Sequence, residues 1–313
     1  MYGEIRIVAG RAHPALVREI CAFLDVRLTR LACFNFSDGE VFCQIQENVR
    51  GTDAFVIQPT CPPVNDNLVE LLIILDAMKR ASASRVTAVV PYYGYARQDK
   101  KDAPRVPITA KLIADLISAA GADRILTLDL HASQIQGFFN MPVDHLFAAP
   151  VILEAIRGLA IPDLMIVSPD AGGVERARAI AKRLHTGLAI ADKRRTGPNQ
   201  TTVMHVIGDV EGRDVLVLDD IVDTAGTLIH TARALAEKGA KRVFAAGVHG
   251  ILSGPALDRI EAAPIERLLV TDTTPLEDKL RRSDKLLPLS VAPLLGKAIR
   301  SIHENSSVSS LFV

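Results

Sequence analysis

Short apolar runs alternate with longer amphipathic stretches along almost the whole chain, a pattern that predicts a parallel-sheet α/β protein. In the first half, strands are expected at Ile5–Ala9, Ala54–Gln58, Val86–Val90 and Ile125–Leu128. Helices are expected from Pro14, from about Asn65 to Arg80, and from Pro107 through Leu112, Leu116 and Ile117. Proline suits a first helical turn because its missing N–H has no intrahelical partner there. Ala32–Phe36 and Val41–Gln46 flank Ser37–Glu40, a hairpin pattern with Asp38 and Gly39 at the turn.

The alternation resumes after Pro150 with helix Val151–Leu159, strand Leu164–Val167, helix Val174–Leu184 and strand Leu188–Ala191. The polar segment Asp192–Thr202 reads as a mobile loop or a hairpin tip before strand Val203–Ile207. Val215–Leu218 has the continuous apolarity of a strand buried on both faces, and a periodic helix follows through Leu228, Ala232 and Leu235. Strands Arg242–Gly247, Leu268–Thr271 and Leu286–Leu289 and helix Ala292–Ser301 close the series. Two such domains are expected, 1–148 and 149–302, and 313 residues suffice for them.

Composition narrows the function. Lysine plus arginine and aspartate plus glutamate number 36 each, so no basic field points to nucleic acid and no polybasic tail to a membrane. The N-terminus lacks a signal-peptide pattern, and the apolar run around Leu68–Met78 is interrupted by Glu70 and Asp76, which suits a buried helix. Cys21, Cys33, Cys43 and Cys61 have no CxxC spacing, so they are expected to be structural thiols in a reducing cytoplasm.

The candidate chemistry lies where apolar strands meet polar loops. Asp219 and Asp220 follow the Val215–Leu218 strand, and Asp223, Thr224, Ala225, Gly226 and Thr227 lead into the next helix. Ligands of open α/β sheets bind at carboxyl ends of strands, and loop amides at a helix start cradle anions. Paired carboxylates beside such a cradle either accept from sugar hydroxyls or ligate Mg²⁺. The expected ligand is a sugar phosphate. The plainer alternative is an exposed turn with Asp223 as a helix N-cap. A second strand-loop-helix anion site is expected at Ser168–Gly173, with Asp170, Ala171, Gly172 and Gly173 in the loop. Two phosphate loops in one half suggest a substrate with a phosphate at one end and a di- or triphosphate handled at the other.

His131 ends a strand and is a candidate metal ligand, although Mg²⁺ takes oxygen donors more readily. Lys193, Arg194 and Arg195 form a cation cluster suited to a transferring phosphoryl group. Phe36 and Arg97 could sandwich a planar base, with Gln98 beside Arg97 and with Asp38 and Glu40 as acceptors for an exocyclic amine.

The segments FSDGEVFCQIQENVRG, NDNLVELLIILDAMKRASASRVTAVVPYYGYARQDKKD, DLHASQIQGFF, VSPDAGG, DKRR and VLDDIVDTAGT resemble ribose-phosphate diphosphokinases in identity and order. The resemblance implies two tandem type I phosphoribosyltransferase-like domains and the reaction of ATP with ribose 5-phosphate, using Mg²⁺, to give AMP and phosphoribosyl pyrophosphate. It implies that Lys193 and Arg195 are catalytic, and that Phe36, Asp38, Gly39, Glu40, Arg97 and Gln98 bind ATP. It places ribose 5-phosphate on Asp219, Asp220 and Asp223–Thr227, pyrophosphate on Asp170–Gly173, and the metal on His131 and Asp170. It further implies a cytoplasmic homo-hexamer controlled by phosphate and ADP at Arg50, Ser82, Arg105, Ser307 and Ser309, with the tail of about 303–313 folded onto the first domain. Two departures stand out: Pro104 where relatives often have serine, and Gly197 where they often have arginine. Phosphoribosyltransferases share the Asp219–Thr227 loop but need no ATP site, and non-catalytic regulatory relatives carry insertions in the catalytic loops that are not apparent here.

Overall fold

A computed structural model describes residues 3–194 and 203–311, which form two compact units. The first comprises residues 1–148, 273–275 and 290–313, and the second 149–272 and 276–289.

The first unit opens with β1 (Ile5–Ala9), α1 (Pro14–Leu24), β2 (Leu31–Asn35), β3 (Val41–Ile45) and β4 (Asp53–Ile57). It continues through α2 (Val64–Arg80), β5 (Arg85–Val90), α3 (Thr109–Ala119), β6 (Arg124–Leu128) and β7 (Val143–Leu146). Strands β1-β4-β5-β6-β7 make one parallel sheet in that order. Every residue of β4 and β5 is buried, as expected of strands covered on both faces. Side chains such as Phe55, Val56 and Val89 reach no solvent, and each contributes roughly 1.5–3 kcal/mol through burial. β2 and β3 pair separately as an antiparallel hairpin. Its turn is closed by the Gly39 N–H donating to Phe36 O at 2.9 Å, and Gly39 takes a φ of 96°, which favours glycine. Cys33 and Cys43 face each other across this hairpin, with Sγ atoms 2.8 Å apart.

The β7 strand breaks the apolar pattern because it carries Asp144 and His145, both buried. Both have partners: Arg124 donates to Asp144 at 2.7 Å, and the Leu130 N–H donates to His145 Nε2 at 2.9 Å. Paired polar groups can be buried at little cost, so a strand forms where hydropathy alone predicts none.

The second unit runs α4 (Ala149–Leu159), β8 (Leu164–Ser168), α5 (Val174–Leu184), β9 (Gly187–Arg194), β10 (Val203–Ile207) and β11 (Asp214–Val222). Then come α6 (Gly226–Glu237), β12 (Arg242–Gly250), α7 (Ala256–Glu261), β13 (Leu268–Thr271), the short α8 (Glu277–Leu280) and β14 (Leu286–Leu289). The sheet order is β10-β9-β8-β11-β12-β13-β14, parallel except for the antiparallel β9–β10 pair. β11 lies at the centre, and Val215, Leu216, Val217 and Leu218 are buried there. Its register is pinned at the amino end by Arg242, which donates to buried Asp214 through Nε at 2.9 Å and Nη2 at 2.6 Å. That pairing holds the Asp214 carboxyl below its ordinary range.

The final helix, α9 (Ala292–His303), belongs to the first unit, whereas the sequence pattern groups residues 149–302 together. Its apolar face, including Leu295, Ala298, Ile299 and Ile302, is buried, and the helix packs on α1. Gly296 permits the close approach, since a Cβ there would lie 2.3 Å from the Phe23 ring. Arg85 extends the tie: it donates to Asp53 through Nε at 2.8 Å and Nη2 at 2.5 Å, and to the Ile302 carbonyl at 2.8 Å. His303 Nδ1 lies 2.8 Å from the same Asp53 carboxylate. Among the described residues, no helix is long and apolar enough to cross a membrane.

Candidate active site

In the second sheet the chain leaves β8 toward β9 on one side, while β11 flanks β8 on the other and leads to β12. The direction of winding therefore reverses between β8 and β11, and such a switch point opens a crevice at the carboxyl ends of the two strands. The loops after β8 and β11 flank it, so both predicted anion loops meet at one place.

The strand carrying the acids is longer than its apolar run. Pairing with β8 ends at Val217↔Val167, but pairing with β12 continues through Asp219↔Gly247 to Val222↔Gly250. Asp219 and Asp220 are thus strand residues projecting past β8, not loop residues. The long β12 supplies the backbone partners that hydropathy cannot reveal. Asp220 is 8% exposed, and Arg176 on α5 approaches its carboxylate at 3.8 Å. Burial, then hydrogen bonding and charge from Asp220, with a contribution from the charge of Asp170, push the Asp219 carboxyl up to about 7. The charge of Asp170 thus reaches Asp219 from the neighbouring loop.

After β11 the chain turns through Asp223, Thr224 and Ala225 into α6. No side chain caps this helix, so the plainer alternative, with Asp223 as N-cap, does not hold. The left-handed residue is Ala225, at φ 59°, and not the neighbouring glycine. Gly226 starts the helix, and a Cβ there would meet only Thr224 Oγ1, at 3.9 Å, so the space before it is open. The first-turn amides of Gly226, Thr227 and Leu228 have no intrahelical acceptor and carry the positive end of the helix dipole.

The other loop is organised by its own polar groups. Ser168 Oγ donates to Asp170 O at 2.7 Å, and the Gly173 N–H donates to Asp170 Oδ1 at 2.8 Å. A Cβ at Gly173 would come within 2.9 Å of Ser168 Oγ and displace that hydroxyl. Asp170, Ala171 and Gly172 are exposed at the mouth of the loop.

Lys193 lies in β9, paired with Met204 of β10. Of the polar segment predicted as a loop or hairpin tip, Asp192–Arg194 is strand, while Arg195 and Gly197 lie outside the described residues.

In the first unit, Phe36 sits at the exposed tip of the β2–β3 hairpin, 48% accessible. It packs edge-on against Phe34 and Phe42, with ring centroids 5.5 and 5.7 Å away. Asp38 Oδ1 accepts from the Glu40 N–H at 3.1 Å, and Asp38 and Glu40 are both exposed beside the ring. Arg97 and Gln98 are exposed on the loop after β5, where Gln98 Oε1 accepts from Thr109 at 2.6 Å. His131 follows β6, just after Asp129, whose Oδ2 accepts from the Ala148 N–H at 2.6 Å. Among the described residues, no group of three or more His, Cys, Asp or Glu is arranged to hold a metal.

Of the five predicted effector-site residues, two are brought together by the backbone: the Gly51 N–H, next to Arg50, donates to Ser82 O at 2.8 Å. Ser307 and Ser309 are joined only locally, by the Ser309 N–H donating to Ser307 Oγ at 3.1 Å. Arg105 lies on the exposed loop before α3, with φ 66°.

Sequence reasoning missed Arg176, Ser253 and Arg259, whose side chains reach the acid pair and its loop. Nothing local marks them. Arg176 looks like any helical arginine, and the other two follow a different strand.

An open α/β sheet with two amide-lined loops and an acid pair at its switch point defines a class of phosphate-handling α/β proteins. Known proteins narrow the class. The family described as the N-terminal domain of ribose phosphate pyrophosphokinase matches residues 5–121, and the phosphoribosyl synthetase-associated domain matches residues 194–313. A ribose-phosphate pyrophosphokinase of Nitrosomonas europaea is 50% identical over 313 residues, spanning 100% of this chain and 99% of its own. One from Aquifex aeolicus is 51% identical over 309 residues, spanning 98% and 99%. The crystal structure of phosphoribosylpyrophosphate synthetase from Mycobacterium smegmatis matches with a TM-score of 0.92 at 44% identity, covering 97% of this chain and 100% of that one. The chain belongs to the ribose-phosphate pyrophosphokinase family.

Proposed function

We propose that this enzyme transfers the pyrophosphoryl group of ATP to the anomeric hydroxyl of ribose 5-phosphate, giving AMP and phosphoribosyl pyrophosphate for nucleotide synthesis. The observation that carries this reading is the pair of anion loops facing one switch-point crevice, with Asp219 and Asp220 between them.

The 5-phosphate is held by the Asp223–Thr227 loop and the open amides of α6, and the ribose hydroxyls donate to Asp219 and Asp220. The anomeric hydroxyl attacks the β-phosphorus and gives up its proton to solvent as the bond from that phosphorus to the α,β-bridging oxygen breaks and AMP leaves. Asp170–Gly173 receives the pyrophosphoryl group. Lys193 and Arg195 offset the negative charge that develops on it. No covalent enzyme intermediate is required, so positioning and electrostatics supply the rate.

Asp170 offers exposed carboxylate oxygen at the mouth of its loop, the donor type a hard divalent cation takes, and the rest of the cation's oxygen ligands would come from the oligophosphate and water. We assign Asp170 to Mg²⁺, which would supply charge neutralisation on the oligophosphate when bound. The adenine stacks on Phe36, with Asp38, Gly39, Glu40, Arg97 and Gln98 around it. We place the enzyme in the cytoplasm, where its four free thiols persist, as a homo-hexamer. Phosphate and ADP act as effectors at Arg50, Ser82, Arg105, Ser307 and Ser309.

The direct test supplies ATP, ribose 5-phosphate and Mg²⁺, with and without inorganic phosphate, and measures AMP and phosphoribosyl pyrophosphate. Equimolar formation of both supports the reading. Folded protein that makes no AMP under either condition removes it.

Two further results are expected. Phe36→Ala should raise the KM for ATP about tenfold and leave that for ribose 5-phosphate unchanged, since loss of a base-stacking ring costs roughly 1–3 kcal/mol. Unchanged ATP kinetics would remove the ring from the site. The second concerns pH. Below about 7, Asp219 takes up a proton and its charge is lost to the sugar hydroxyls. The KM for ribose 5-phosphate should then rise about tenfold from about pH 8 to about pH 6. Asp219→Asn should flatten that limb to the part left by the substrate phosphate, whose second ionisation lies at about pH 6, and an unaltered profile would place the titrating group elsewhere.

A further inference from the structure

No side chain caps α6, and Ala225 stands in a left-handed conformation that costs a non-glycine residue free energy. Bonds from a neighbouring segment offset that cost.

The segment after β12 supplies them. The Leu252 N–H donates to Val222 O at 2.9 Å, and the Ser253 N–H donates to Asp223 O at 3.1 Å, continuing the strand pairing past its end. Ser253 Oγ also donates to the Asp223 carboxylate. One helix further on, Arg259 of α7 donates through Nη1 to the Thr224 carbonyl at 2.9 Å. That bond has a directional consequence. A trans peptide is planar, with its C=O and N–H pointing in opposite directions. Holding the Thr224 oxygen toward Arg259 turns the Ala225 N–H the other way. A cationic donor on the carbonyl also polarises the peptide and strengthens that N–H as a donor.

We infer that Ser253 and Arg259 are positioning residues for the sugar-phosphate subsite: Ser253 fixes the Asp223 carboxylate, and Arg259 fixes the Thr224–Ala225 peptide so that its N–H serves the phosphate. This rests on the reading of Asp223–Thr227 as the ribose 5-phosphate loop. Neither side chain touches substrate; each acts through the loop.

The experiment compares Ser253→Ala, Ser253→Thr, Arg259→Gln and Arg259→Lys with the unaltered enzyme. It measures ribose 5-phosphate binding by calorimetry, both KM values, kcat and thermal unfolding. Turnover by the unaltered enzyme tests the parent reading separately, because calorimetry reports on the subsite whether or not AMP is formed. Ser253→Ala and Arg259→Gln should each weaken ribose 5-phosphate binding about tenfold, with the KM for ATP unchanged within about twofold. Ser253→Thr keeps the hydroxyl and Arg259→Lys keeps one cationic donor, so each should recover most of the affinity. Arg259 is exposed and its replacement leaves the core intact, so that pair remains decisive if Ser253→Ala folds poorly. Unchanged ribose 5-phosphate affinity in Arg259→Gln overturns the inference. So does an equal loss of affinity for both substrates with a lowered unfolding temperature.

Discussion

Lys193→Ala should lower kcat by about 10³-fold while leaving thermal unfolding within about 2 °C of the unaltered protein. A single cation placed on a transferring phosphoryl group supplies rate enhancement of this order, and 10³-fold corresponds to about 4 kcal/mol of transition-state stabilisation. The charge is needed only as the reaction proceeds, so the loss should fall on kcat more than on either KM. The fold should survive, because β9 and β10 are held in register by main-chain bonds from Val203↔Arg194 to Ile207↔Ile190. Lys193→Arg retains the charge and should recover part of the rate. Near-normal turnover in Lys193→Ala would remove this residue from the mechanism.

Arg85→Met should destabilise the protein by about 3–5 kcal/mol, because it leaves a buried carboxylate without its main partner. Asp53 is fully buried, and Arg85 engages both of its oxygens while also holding the Ile302 carbonyl at the end of α9. His303 then faces the remaining charge from a partly exposed position. For a unit of this size the loss should lower the unfolding temperature by about 10 °C. Adding Asp53→Leu should restore much of it, since two apolar residues replace an ion pair without stranding either charge. If the double variant is no more stable than Arg85→Met, the ion pair is not what the single substitution breaks.

The strands and helices were legible because almost all of them follow hydropathy. Ile5–Ala9, Leu268–Thr271 and Leu286–Leu289 match their apolar runs residue for residue. Failures occur where partners far along the chain decide the outcome. β7 contains two buried polar residues that only Arg124 and the Leu130 amide make tolerable. β11 runs four residues beyond its apolar stretch because β12 is there to pair with it. α9 falls in the first unit because Phe23, Arg85 and Asp53 receive it.

Candidate site residues were legible where one local run held the signal, as in Asp219–Thr227 and Ser168–Gly173. That the two runs share a crevice follows from strand order, which no local pattern contains. Phe36 could equally have been a core aromatic, and only its exposure at the hairpin tip distinguishes the two. Ser253 and Arg259 were invisible, since their role lies in bonds to a different loop.

The interrupted course of the first unit also sets an order of events during synthesis. Residues 149–289 lie between its two main parts, apart from the short 273–275 segment. A ribosome adding about 5–20 residues per second needs roughly 7–30 s to cross that interval. Throughout it, α1 lacks the helix that covers it, and Asp53 and Arg85 lack His303 and the Ile302 carbonyl. The second unit, though later in the chain, is the first to have all its segments in hand. The nascent first unit waits with the face of α1 that receives α9 uncovered.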